Sequence, residues 1–196
     1  MLAEGYAALG HHVTGVDPAP AMLDVARDKP MAAQISYQQS TAQAFHSNQR
    51  FDLIIMTGHA FQVLLTDADI AATFATMRDH LAAGGRIVFE SRNPGFDWVT
   101  IWNTDARYVL DGLPVQESRR MVSASGNLIS FDTEYLINGT SRKSSSTLQF
   151  LSVSDVTARL TKAGLQVLDL FGDWRSGPFT PAASAEMIFV AGHATR

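Results

Sequence analysis

Residues 10–27 read Gly10-His11-His12-Val13-Thr14-Gly15-Val16-Asp17-Pro18-Ala19-Pro20-Ala21-Met22-Leu23-Asp24-Val25-Ala26-Arg27, and this stretch decides the fold. Residues 12–17 form a brief apolar run that ends in an acid, the pattern of a buried strand. Pro18 breaks the run, and residues 21–27 then take up helical spacing, with proline favoured in the first turn of a helix. An acid at the carboxyl end of such a strand is suited to accept hydrogen bonds from both hydroxyls of a nucleotide ribose, because open α/β sheets bind ligands beyond the carboxyl ends of their strands. The plainer alternative is that Asp17 caps the helix that follows. Spacing alone leaves both open.

Working outward, residues 1–9 have a helical apolar pattern that stops at Gly10. Strands are expected near residues 35–38 and at 51–56, Phe51-Asp52-Leu53-Ile54-Ile55-Met56. Thr66, with acids at Asp67 and Asp69, starts a longer helix running to about residue 81, which Gly84-Gly85 is expected to stop. Residues 86–90 form the next strand. Alternating strands and helices predict an α/β, Rossmann-like parallel sheet covered by helices. After Pro94 the pattern changes to strand-like runs at 115–122, 127–137 and 142–151. These are punctuated by Ser125-Gly126 and by Asn138-Gly139, a strong signal for a tight hairpin. They predict an antiparallel insertion over about residues 106–151 within a single domain spanning 1–196. A helix at 153–163 closed by Gly164, then strands at 165–172 and 186–191, complete the chain.

Composition narrows the function. The net charge of −4 supplies no basic face for nucleic acid. The absence of cysteine removes disulfides, zinc–thiolate sites and a cysteine nucleophile. The six histidines show no metal-ligand spacing, so no metal is expected. No stretch approaches the roughly 18–20 apolar residues needed to cross a bilayer, and the first ten residues do not read as a signal peptide. A cytoplasmic protein with no membrane partner is the resulting expectation.

The words around Asp17 resemble the second-strand motif of class I S-adenosylmethionine-dependent methyltransferases. Residues 51–56 followed by Thr57-Gly58-His59-Ala60-Phe61-Gln62 are similar to that family's fourth strand and the loop after it. Leu81-Ala82-Ala83-Gly84-Gly85-Arg86-Ile87-Val88-Phe89-Glu90 resembles its Leu-x-Pro-Gly-Gly motif, with Ala at the proline position. Gly172-Asp173-Trp174 and Gly177-Pro178-Phe179-Thr180-Pro181 look like the tail of small bacterial members with a hairpin insertion. The resemblance implies S-adenosyl-L-methionine as cofactor and methyl transfer to a small-molecule acceptor, with the insertion closing over that acceptor as a lid. It implies cofactor contacts from Asp17 to the ribose, from Pro18 and Met22 to the adenine, and from Thr41, Ala42, Thr57 and Gly58. His59 is the candidate general base, weighed against a structural role. Phe61, Glu90, Arg92 and Asn93 sit where the resemblance brings the acceptor. Trp98, Trp102 and Phe96 suit either a pocket wall or lid packing.

Two departures stand out. The family's first strand and glycine-rich loop precede the helix that residues 1–9 form, and this sequence begins after them. The expected sheet is therefore incomplete at the N-terminus, with exposed strand edges that favour self-association as a homodimer. Either the natural start lies upstream of Met1 or the homologue is truncated; the rest of the sequence shows little sign of decay, which favours the first. Second, Thr41 stands where many relatives place an acid for the adenine amino group. Two rival functions remain at this stage: a nicotinamide-dependent oxidoreductase, which also uses an acid after the second strand, and an inactive remnant serving as a binding or dimerisation module.

Overall fold

The computed structural model describes residues 2–195. Helix α1 (Leu2–Ala8) leads to strand β1 (Val13–Asp17), then helix α2 (Pro20–Arg27) and strand β2 (Ile35–Gln39). β1 and β2 pair in parallel, from Val13 opposite Ile35 to Asp17 opposite Gln39. Pro20 opens α2 and needs no amide partner there, while Leu23 is the residue that α2 buries.

A second sheet has the order β3-β4-β10-β9, from β3 (Phe51–Met56), β4 (Leu81–Arg92), β9 (Leu165–Phe171) and β10 (Glu186–His193). β3 lies parallel to β4, and β10 runs antiparallel to both β4 and β9. The main core sits against this sheet. Helix α3 (Asp67–His80) contributes Ile70, Phe74 and Met77, the sheet contributes Ile87, Phe89 and Phe189, and helix α5 (Val153–Lys162) contributes Val156 and Leu160. The rings of Phe89 and Phe189 stack at 5.1 Å across the β4–β10 pair.

The expected α/β sheet is thus present but divided. Among the described residues β1 pairs only with β2, and β3 only with β4. Both strands line one cleft between the two sheets.

α3 is capped as its sequence predicts, with the Thr66 hydroxyl accepting from the Asp69 amide at 3.1 Å. Its end differs from expectation. The helix stops at His80, and Leu81 is already extended, so Gly84-Gly85 lies inside β4 rather than terminating a helix. The pair serves a bulge: the β3–β4 register slips between Phe51 opposite Leu81 and Leu53 opposite Arg86. Gly84 takes φ +77°, and a Cβ on Gly85 would meet Phe51 O at 3.0 Å. Glycine is required by close backbone approach.

The antiparallel insertion is a four-stranded sheet, β5 (Thr104–Leu110), β6 (Leu113–Ser125), β7 (Leu128–Ile137) and β8 (Thr140–Gln149), in the order β5-β6-β7-β8. It begins two residues before the expected 106, because β5 was not foreseen as a strand. Asp111-Gly112 and Asn138-Gly139 both have left-handed pairs of residues at their hairpin turns, which match the twist of the flanking strands. A short helix α4 (Trp98–Ile101) packs Trp98 and Trp102 against Leu148 and Phe150 as a second, smaller core. The guanidinium of Arg92 lies 5.0 Å from the Trp102 ring centroid and that of Arg119 lies 5.9 Å from it, so a β4 cation and a β6 cation both contact this ring. Phe96, Trp98 and Trp102 therefore pack beneath the insertion, the second of the two roles that their sequence left open.

Candidate active site

A cleft of about 560 Å³ opens between β1 and β3, with Thr76, Met77 and His80 of α3 on its walls. That size lies within the range of roughly 300–1,000 Å³ usual for small-molecule sites. Asp17 and Pro18 at the end of β1, Thr41 and Ala42 after β2, and Thr57 after β3 all line it. Asp17 folds the turn before α2 without being the helix cap, a position that Ala19 occupies. One carboxylate oxygen accepts the Ala19 amide at 2.8 Å, which folds the turn into α2. The other has no protein partner among the described residues, and remains an acceptor at the cleft. The turn is held further by the Ser40 amide donating to Asp17 O and the Gln39 amide side chain donating to Pro18 O. The Thr41 hydroxyl accepts from the Ala44 amide at 3.3 Å, with one lone pair to spare. Met22 and Gly58 lie outside the walls of the cleft; Met22 is exposed on α2.

His80, on the α3 wall, is fully engaged. Its Nδ1 donates to Thr76 O at 2.7 Å and its Nε2 accepts from the Ser47 amide at 3.0 Å. This histidine ties the loop before β3 to α3 and has no nitrogen left for chemistry.

Next to the cleft, the chain turns sharply after β3. Gly58 at φ +72° and His59 at φ +59° are consecutive left-handed residues, leading into a 3₁₀ turn at Ala60–Val63. A non-glycine residue in that conformation is strained by roughly 1–2 kcal/mol and needs support. The His59 amide receives it by donating to the Glu90 carboxylate at 2.8 Å. The second Glu90 oxygen accepts from the Trp174 indole N–H at 2.6 Å. The His59 ring turns away from the cleft towards β10, where Nε2 lies 3.1 and 3.0 Å from the two oxygens of Glu186. Arg92 completes the cluster. Its guanidinium donates to Gln62 Oε1 at 3.0 Å and stacks near Trp98 and Trp102. Burial holds its pKa below the usual value for an arginine; the nearby Arg119 charge adds to that, while Glu186 and Glu90 oppose it.

The structure therefore brings His59, Glu90 and Arg92 together and adds Glu186 and Trp174, which the sequence did not single out. Two expected acceptor contacts need correction. Phe61 points into the main core, 2% exposed and stacked 5.6 Å from Phe74, because the 3₁₀ turn aims it inward. Asn93 is buried and spent on structure: its amide donates to Pro181 O at 2.8 Å and Ser184 O at 2.7 Å, and its Oδ1 accepts from Gly95. It latches the end of β4 to the loop before β10. Among the described residues no group of three His, Cys, Asp or Glu side chains is placed to hold a metal ion, and no helix is long and apolar enough to cross a membrane.

An acid at a strand end beside a cleft between two parallel strand pairs is the kind of place where open α/β sheets bind ligands. Comparison with known proteins shows what the chain is similar to. Residues 1–85 match the methyltransferase domain family. The ubiquinone biosynthesis O-methyltransferase of Aromatoleum aromaticum is 29% identical over 116 residues, 58% of this chain and 49% of that protein. The chain thus spans about half the length of this curated relative. Among solved structures, the CcbJ methyltransferase from Streptomyces caelestis superposes with a TM-score of 0.80 at 20% identity, over 96% of this chain and 77% of the other. CalS10 with bound S-adenosylmethionine, an amino pentose methyltransferase from Micromonospora echinaspora, gives a TM-score of 0.74 at 23% identity, over 93% and 74%. Residues 1–85 thus resemble the methyltransferase domain family, and the chain shares the α/β fold of these solved methyltransferases.

Proposed function

We propose that this chain holds S-adenosyl-L-methionine in the cleft between β1 and β3 and directs methyl transfer to a small-molecule acceptor. The observation that carries the reading is Asp17: one carboxylate oxygen is fixed by the Ala19 amide and the other is free at the cleft, the arrangement a ribose diol needs. The cofactor's nucleoside half fits what is present. Pro18 and Ala42 offer apolar contact to an adenine ring, Thr41 a hydroxyl, and Thr57 closes the β3 side. When bound, the cofactor supplies a methyl group on a sulfonium, which is already a good leaving group.

The protein's own work is then alignment and the exclusion of water. An acceptor oxygen or nitrogen attacks with its lone pair and must shed its proton. His59, on the turn after β3 with its ring facing β10, takes that proton from an acceptor held on that side of the turn. Glu90, itself bonded by Trp174, holds the His59 backbone in place, and Arg92 packs against Trp98 and Trp102 beneath the insertion. An amino pentose methyltransferase and a ubiquinone biosynthesis O-methyltransferase among the similar proteins support a small organic acceptor over a macromolecule.

Calorimetric titration with S-adenosylhomocysteine, with NADH as control, tests the reading. Saturable binding of the first alone is expected. Equal binding of NADH, or no binding of either by the folded chain, would overturn it.

A further inference from the structure

We propose that Glu186 is the positioning residue for His59: it fixes the ring so that Nε2 carries a proton and Nδ1 is the nitrogen available to accept one. The proposal rests on the reading of His59 as the base and names the group that makes it one.

The geometry points there from three sides. Both Glu186 oxygens lie within 3.1 Å of His59 Nε2. A carboxylate only accepts, so Nε2 must donate, and a neutral imidazole then keeps its lone pair on Nδ1. That nitrogen has no hydrogen-bond partner among the described residues. Glu90 Oε1 lies 3.9 Å from it, beyond bonding range. Both Glu90 oxygens already accept, from the His59 amide and from Trp174.

The sheet fixes the acid in turn. β10 begins at Glu186, which pairs across from Arg92, while Ile188 pairs across from Glu90. Residues two apart on a strand share a face, so Glu90, Arg92 and Glu186 project together towards the His59 turn. Arg92 is the countercharge that lets two carboxylates share this partly buried place. His80 shows the opposite arrangement, with both nitrogens consumed by backbone groups. A ring with one nitrogen locked to a carboxylate and the other left free is what a positioned base requires.

Proton NMR of protein labelled with ¹⁵N-histidine tests this without turnover. Wild type should show a downfield, slowly exchanging proton on His59 Nε2, assigned by its loss in His59→Asn. In Glu186→Gln this resonance should broaden away or move upfield, and in Glu186→Asp it should be partly retained. The His80 Nδ1 proton, bonded to Thr76 O, is the internal control for folding and should persist in every variant. A His59 proton on Nδ1 in wild type, or an Nε2 proton unchanged in Glu186→Gln, would overturn the assignment. S-adenosylhomocysteine titration of the same samples reports separately on the cofactor reading. In assays of methyl transfer, Glu186→Gln should lower kcat by about 10- to 100-fold, within what general base catalysis contributes, and leave KM for the acceptor within about twofold. A matched rise in KM with kcat intact would assign Glu186 to acceptor binding instead and overturn the proposal.

Discussion

The two parallel strand pairs that flank the cleft are built to different standards. β3 and β4 belong to a sheet backed by Ile70, Phe74, Ile87, Phe89, Leu160 and Phe189, all fully buried. Among the described residues, β1 and β2, which carry Asp17 and lead to Thr41, rest on Ala7, Leu23 and Ile35 as their buried apolar residues, and none of these joins the main core. The side of the cleft assigned to the cofactor's nucleoside is therefore the thinly packed side, and the sheet that carries Glu186 and Glu90 is the densely packed one. A ligand bridging the two should add its binding free energy mostly to the thin layer. Local stability across a domain spans a wide range, and regions with few buried contacts open first.

The sharpest way to break this contrast is to cut each side equally. Leu160→Ala, on α5, should destabilise the chain by about 4–5 kcal/mol in urea unfolding, the upper end of the cost of removing an enclosed leucine. Leu23→Ala, on α2, should cost about 2–3 kcal/mol, at the low end for its class because its surroundings can collapse. Equal losses would show that the two layers are packed alike. Asp17→Asn should weaken S-adenosylhomocysteine by about 10- to 100-fold, matching about 1.5–3 kcal/mol for bonds to a charged group, while the unfolding midpoint without ligand stays put. A smaller effect is expected far from the cleft. The Ser152 hydroxyl accepts from the Asp155 amide and Asp155 reaches back to the Ser152 amide, closing a capping box on α5. Ser152→Ala should cost about 1 kcal/mol at neutral pH. Hydrogen bonds from Ser152 and the charge of Arg159 hold the Asp155 carboxyl below its usual 3.8. A depressed acid stabilises above its unfolded pKa and loses that contribution as pH falls through the folded one. The gap between wild type and Ser152→Ala should accordingly narrow below about pH 4. The smallest effect is at the exposed Arg27–Asp24 pair on α2, where Asp24→Ala should change stability by no more than about 0.5 kcal/mol.

How much was legible in the sequence follows the same divide between local and assembled features. β3 occupies residues 51–56 as its apolar run predicts, α2 (Pro20–Arg27) contains the helical stretch expected at 21–27, and Asn138-Gly139 and Gly164 adopt the left-handed conformations their types invite. The placing of Asp17 at the end of β1, ahead of the turn into α2, was readable because it depends on one strand–turn–helix unit. β5 was not, since every residue of Thr104–Leu110 is exposed and no alternation of apolar and polar side chains marks it. Phe61 misled because its place in the loop after β3 suggests the cleft, whereas the 3₁₀ turn rotates it into the core. Glu186 left no local sign at all. It stands 127 residues from His59 in sequence, and only the β4–β10 register brings the two together.

The bond from Trp174 to Glu90 has a spectroscopic consequence. Trp98 and Trp102 are enclosed at 8% and 5% exposure, whereas Trp174 is 53% exposed, with its indole N–H fixed to a carboxylate that also supports His59. A soluble quencher such as iodide will reach this one indole and spare the other two. The chain thus carries its own optical reporter beside the proposed base, and emission from Trp174 should register whatever enters that corner without any label being attached.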